Sequence, residues 1–263
     1  MDLSGPIISD MTGELLGAAY MRDRLRISFH DDRFRRDWET ISALHHGDPR
    51  VSGQDADETA WIVVFDDDRD PGATFLVERG SGRHEFLYRS RPWLDPATLA
   101  PMRPVTITSR DGLALHSLLT VPLDAEADTP QPTVLYVHGG PWSRDTWGYD
   151  PTAQFLANRG YAVLQVNYRG STGFGKAFTH AAEREFAGRM HDDLIDAVEW
   201  AVAEGVADRD RIAIYGGSYG GYAALVGATF TPDVFAAAIS FVGPSSLVTL
   251  VRSFPAYWRP FLE

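Results

Sequence analysis

Ser218 stands between two glycine pairs, Gly216-Gly217 and Gly220-Gly221, directly after the apolar run Ile212-Ala213-Ile214-Tyr215. A serine in that setting reads as a nucleophile at the corner where a strand turns sharply into a helix. Small neighbours at 216 and 220 let the two elements pass, and the turn leaves the hydroxyl exposed at the edge of a sheet. The helix-compatible run 222–229 follows, as that arrangement requires. A second string, His138-Gly139-Gly140-Pro141-Trp142, closes another apolar run, Thr133 to Val137. Acyl transfer builds negative charge on an oxygen, and stabilising it takes preorganised N–H donors. Where such a serine corner occurs, one donor is the amide after the nucleophile, here Tyr219, and one comes from the loop after the earlier strand, assigned to Gly140. Pro141 has no N–H to offer. His138 precedes Ser218 and is expected to shape the loop rather than act as a base.

A serine hydroxyl is a weak nucleophile unless a neighbouring base takes its proton. The last histidine of the chain is His191, and the one aspartate after Ser218 is Asp233. Neither a triad acid nor a triad base is therefore assigned within the chain.

Rival motifs carry less. Gly170-Ser171-Thr172-Gly173-Phe174-Gly175-Lys176 fits the first seven positions of a phosphate-cradling loop, but Ala177 stands where a hydroxyl must meet Mg²⁺. Asp66, Asp68 and Asp70 have calcium-loop spacing, yet Pro71 and Val77 occupy the positions for the glycine and the bidentate glutamate; the segment reads as a solvated turn. His45-His46 has no helical His-Glu-x-x-His partner, so local spacing supports no zinc site and no metal is assigned. Asp192 and Asp193 open a helical run, where carboxylates favour the positive end of the helix, and read as structural. Leu247, Val248 and Val251, with Leu250, Tyr257 and Trp258 near them, are candidates for a pocket holding the side chain before the scissile bond; core packing explains them equally well.

The elements around these residues follow from periodicity. Strand-like runs fall at 15–19, 24–29, 60–65, 73–77 and 85–88, separated mostly by polar or Gly-bearing turns. Phe34, Trp38, Ile41 and Leu44 are spaced like one face of a helix. Residues 91–104 contain four prolines, which resist helix and central strand alike, and form the expected linker. Residues 105–121 read as a hairpin turning at Asp111-Gly112. Strands at 133–137, 162–167, 211–215 and 235–240 then alternate with helical runs near 151–158, 177–187, 191–204 and 220–229. That alternation predicts an α/β fold, a parallel sheet with helices on both faces.

Four strings in order, 136–142, 167–175, 216–221 and Pro255-Ala256-Tyr257-Trp258-Arg259-Pro260, resemble the catalytic domain of the prolyl oligopeptidase family of serine peptidases. The likeness is greatest to its acylaminoacyl-peptidase and dipeptidyl-peptidase-like branch. It covers residues 105–263 and implies an α/β-hydrolase fold, truncated before its last strands, with Ser218 as nucleophile and Gly140 and Tyr219 as oxyanion donors. The family carries a β-propeller in front, and residues 1–90 supply two blades at most, so a partial all-β propeller segment is expected there. Two blades cannot close a ring, which leaves outer strands open to aggregation or to a partner. The family also places an aspartate and then a histidine after the serine, and neither has a counterpart here. The expectation is a fragment of a longer peptidase acting on short peptides, acyl-peptides or aminoacyl-peptides, because both ends look cut. A degenerate copy, a carboxylesterase or lipase, and a non-catalytic binding protein are the alternatives.

Composition sets outer bounds. With 44% hydrophobic residues the chain can bury a sizeable core. Residues 1–104 hold 19 acids against 13 bases and the remainder 17 against 11, so neither part offers a basic nucleic-acid surface. Zero cysteines exclude disulfides and thiolate metal sites. No apolar run approaches membrane-spanning length and the start has no basic leader region, which suggests a cytoplasmic protein with no membrane partner. No cofactor is implied, and a homo-oligomer or a partner chain completing the fold stays open.

Overall fold

The computed structural model describes residues 2–126 and 128–257. Its first 90 residues form two antiparallel sheets. β1 (Leu3–Ile8), β2 (Leu15–Met21) and β3 (Leu25–Phe29) pair in that order. After α1 (Asp32–Ser42), a meander follows of β4 (Asp48–Gln54), β5 (Ala60–Asp66), β6 (Ala73–Glu78) and β7 (His84–Arg89). α1 starts where Asp31 caps it, its carboxylate accepting the Phe34 amide at 2.6 Å. The predicted face is the buried one: Phe34 and Ile41 join Trp61, Val63, Phe65 and Val77 in one cluster, with Trp38 and Leu44 packed against it. This is the propeller-like part of the chain.

The rest is a six-stranded mixed sheet. β8 (Met102–Thr108) and β9 (Ala114–Thr120) form the expected hairpin, with Gly112 at φ +85° in its turn. β8 begins at Met102, so the end of the Pro-rich stretch is already strand, and Pro104 sits opposite Leu118. β10 (Gln131–Val137), β11 (Ala162–Val166), β12 (Ala207–Gly217) and β13 (Ala237–Phe241) complete the order β13-β12-β10-β11-β9-β8, with the four later strands parallel. Among the described residues five α-helices accompany them: α2 (Pro151–Ala157), α3 (Lys176–His180), α4 (Arg189–Ala203), α5 (Tyr219–Phe230) and α6 (Leu247–Ser253).

Both faces of this sheet are covered, and adjacent residues show it. Leu118 and Val163 pack with Ala153 of α2, whereas Leu119 and Leu164 pack with Met190, Leu194 and Ala197 of α4. Successive strand residues point to opposite faces, so each strand feeds two layers. The fold is thus a partial α/β-hydrolase-like mixed sheet behind antiparallel β-sheets.

Two local expectations fail. The helical run expected over 177–187 stops at His180, and Arg184 and Ala187 adopt positive φ, which no right-handed helix accommodates. Of the aspartates expected in a solvated turn, Asp66 is exposed but Asp68 and Asp70 are buried, at 7% and 6% exposure, as is Asp67 beside them. Asp68 accepts the Met102 amide and Asp70 pairs with Arg89, so this turn fastens the meander to the larger sheet.

Candidate active site

Ligand sites in parallel sheets lie beyond the carboxyl ends of the strands. Here the register pairs Val137 with Gly216, so the two central strands β10 and β12 end side by side. The loop 138–140 and Ser218 therefore leave the sheet at one place. A Cβ built on Gly139 would lie 3.4 Å from the Ser218 Cβ and 3.1 Å from the Gly217 carbonyl oxygen.

Ser218 has φ 55° and ψ −118°, a strained conformation for a residue with a side chain. Neighbouring hydrogen bonds enforce it: its amide donates to Phe241 O at 3.0 Å, and its carbonyl accepts the Tyr222 amide at 3.0 Å. Glycine on both sides is a steric demand. A Cβ at Gly220 would stand 2.0 Å from Val137 O, and one at Gly216 would stand 2.5 Å from Gly220 C. The result is the exposed serine that the sequence predicts, at the head of α5.

Gly140 is exposed, with φ +124°, and Tyr219 is the first residue of α5. Neither amide donates to any described residue. The Tyr219 ring is buried and packs against Tyr168 and Phe186, its centroid 5.3 and 4.9 Å from theirs.

His138 holds the loop. Its ring is stacked on Tyr168 at 4.5 Å between centroids, and its two nitrogens lie 2.8 Å from Gly139 O and 3.0 Å from Ser171 Oγ. Gly139 O can only accept, which puts the proton of a neutral ring on Nδ1; Nε2 faces the Ser171 oxygen, whose own proton goes to Tyr168 O at 2.7 Å. Burial pulls its pKa down to about 4. Both nitrogens face Gly139 and Ser171, and neither has a hydrogen bond to Ser218.

The other ring of interest, His191, is buried and reaches Thr231 Oγ1 at 3.0 Å, at the far end of α5. Asp233 lies beyond that same end and is exposed. Twelve helical residues separate it from Ser218, about 18 Å along the axis. Neither residue reaches the nucleophile.

Arg169 is a structural element that the sequence did not announce. It is 2% exposed and makes charge-assisted bonds to Asp193 at 2.7 and 2.9 Å and to Asp111 at 2.9 Å. Asp193, completely buried, ties α4 to the loop after β11, and Asp111 ties the β8–β9 turn to the same arginine. The one signal for it is a charged residue three positions after the buried strand β11.

Leu247, Val248 and Val251 sit on α6, which buries no residue; Val248 and Val251 are 61% and 46% exposed. They line none of the described cavities. Trp258 and the two residues after it, the last three of the string 255–260, lie outside the described residues. A cleft of about 880 Å³ opens between the antiparallel sheets and residues 144–150, lined by Arg79, Arg144, Asp145 and Trp147 among others, and does not include Ser218. Among the described residues no helix is long and apolar enough to cross a membrane.

The sequence model described as "Prolyl oligopeptidase family" matches residues 147–259. The chain is 47% identical over 270 aligned residues to dipeptidyl aminopeptidase BIII of Pseudoxanthomonas mexicana, covering all of this chain and 39% of that protein. It is 38% identical to dipeptidyl peptidase family member 6 of Caenorhabditis elegans, over 82% of this chain and 32% of that one. A puromycin-hydrolyzing peptidase of Mycobacterium tuberculosis superposes with a TM-score of 0.78 at 28% identity, over 97% of this chain and 39% of its own. The chain thus spans between about a third and two fifths of the length of these relatives.

Proposed function

We infer, for a chain that belongs to the prolyl oligopeptidase family, that Ser218 is the nucleophile of a peptidase acting on short peptides, acyl-peptides or aminoacyl-peptides. The observation that carries this reading is the exposed Ser218 at φ 55°, at the head of α5 and beside the loop of Gly139 and Gly140. Its Oγ attacks the carbonyl carbon of the scissile bond. The oxyanion that forms accepts from the Gly140 and Tyr219 amides, aided by the positive end of α5. The serine proton passes to a base and then to the leaving amine; water then attacks the acyl-enzyme and regenerates the hydroxyl. No described histidine is placed to be that base, so the proton acceptor is a residue that these 263 do not supply. Leu247, Val248 and Val251 contribute to the substrate pocket once α6 is covered. The open edge of β13, whose five residues are all exposed, takes the polypeptide that covers it, from a longer chain or a partner. The propeller-like sheets at 1–90 favour a peptidase over an esterase or lipase, whose elbow is otherwise the same.

The test is covalent. Incubated with a dipeptidyl fluorophosphonate, the chain is expected to take up one phosphonyl group, slowly, on the peptide bearing Ser218, and the Ser218→Ala variant none. Modification at another residue, or equal uptake by Ser218→Ala, contradicts the assignment.

A further inference from the structure

The antiparallel part of the chain brings together two histidines and a carboxylate that no local spacing connects. His45 and His46 follow α1, and their rings stack with centroids 4.6 Å apart. Asp67 comes from the other side, just after β5, and is 1% exposed. Its Oδ1 accepts the amides of Arg69 and Asp70, each at 2.8 Å. Its Oδ2 is buried and has no hydrogen-bond partner. That oxygen lies 3.5 Å from His46 Nε2 and 4.0 Å from His45 Nδ1.

A buried carboxylate oxygen with no hydrogen-bond donor is an anomaly, because its lost hydration is offset only by the more distant approach of the two imidazoles. A cation between the three atoms removes the anomaly. The groups behind these three atoms are already arranged for one. His45 Nε2 lies 3.2 Å from Asp70 Oδ2; donating its proton there leaves the Nδ1 lone pair free for a ligand bond, the arrangement typical of metal-bound histidine. That lone pair now accepts the Gly47 amide at 3.0 Å, one hydrogen bond that coordination would replace. Ligand bonds of about 2.0–2.2 Å in tetrahedral array set donor atoms roughly 3.4 Å apart. The Asp67–His46 pair is at that spacing, and all three donor atoms lie within 4.8 Å of one another. His46, with its side chain 74% exposed, leaves the site open to solvent and has room to turn its ring out of the stack toward a shared ion, while the 4.0 Å between His45 Nδ1 and Asp67 Oδ2 has to close by about half an ångström.

We propose that His45 Nδ1, His46 Nε2 and Asp67 Oδ2 form a site for a zinc-class divalent transition-metal ion, with its outer position open to water. Two imidazoles and one carboxylate select such an ion over magnesium or calcium, which take all-oxygen shells. Bound there, the ion clasps the tail of α1 to the turn between β5 and β6.

The experiment titrates the chelator-stripped full chain with zinc chloride against a chromogenic chelator at neutral pH, and repeats the titration with cobalt. One equivalent of zinc is expected to bind, and cobalt to give the intense visible absorption of a tetrahedral site. His46→Ala, a change at an exposed side chain that leaves folding intact, should weaken binding by at least about 100-fold, and Asp70→Asn by about 10- to 100-fold. His84→Ala, in the same meander, should leave it unchanged. Absence of stoichiometric binding overturns the proposal, as does undiminished affinity in His46→Ala.

Discussion

The 263-residue chain is expected to cleave a dipeptidyl p-nitroanilide about a millionfold more slowly than a triad-bearing relative assayed beside it. The magnitude follows from what is present and what is missing. Oxyanion donors and substrate binding alone sustain roughly 10³- to 10⁴-fold acceleration over water, whereas loss of the base that activates serine removes about 10⁶ in kcat. At about 1.4 kcal/mol per decade, the missing proton acceptor is worth about 8 kcal/mol of transition-state stabilisation. His138 is the described ring nearest in the chain to the oxyanion loop, but its nitrogens are committed to Gly139 and Ser171 and its pKa is near 4. The residual rate of His138→Gln is therefore expected to match that of the unaltered chain within a few-fold, provided circular dichroism shows the fold retained. Turnover within a hundredfold of the relative, or its collapse in His138→Gln with the fold retained, would mean that the chain holds a working base after all.

The second large effect is steric. Gly220→Ala places a methyl group 2.0 Å from Val137 O, 2.9 Å from Val137 C and 3.1 Å from His138 O, all backbone atoms of the end of β10 and the start of the oxyanion loop. Neither β10 nor α5 can give way without moving Ser218 or the amides beside it. Overpacking of this kind costs about 3 kcal/mol or more. The variant is expected to unfold at markedly lower urea concentration and to lose phosphonylation of Ser218. Gly5→Ala is the matched control, because its added Cβ meets nothing within 4 Å. Equal unfolding midpoints for the two variants would show that the close crossing of β10 and α5 is not tight.

Local rules made some of this legible in the sequence. The corner at Ser218 needs only a strand, small residues and a helix in succession, and the hairpin at Asp111-Gly112 needs only its turn chemistry. α1 announced itself because Phe34 and Ile41 repeat at helical spacing on a face that is buried. β1 and β4 gave no such signal. Leu3–Ile8 contains glycine and proline, and Asp48–Gln54 is mostly polar; both become strands because β2 and β5 supply hydrogen-bonding partners. Burial of the aspartates at 67–70 was hidden for a similar reason. Their partners, Met102, Arg89 and the two histidines, come from distant positions that only the folded chain brings near. Arg169 followed the same pattern, its two carboxylates arriving from Asp111 and Asp193.

Because the chain has no cysteine, Ser218→Cys installs a single thiol at the corner, and a thiolate needs no separate base to attack. Its pKa, read from the pH dependence of alkylation by iodoacetamide, measures the electrostatic field at the place where the oxyanion is expected to form. At the head of α5 and beside the free amides of Gly140 and Tyr219, the thiol is expected to titrate at least one pH unit below the ordinary value of about 8.5, and to react with a peptidyl thioester faster than free cysteine does. A thiol that titrates at or above about 8.5, or that alkylating reagents cannot reach, would contradict an exposed nucleophile set in an oxyanion site.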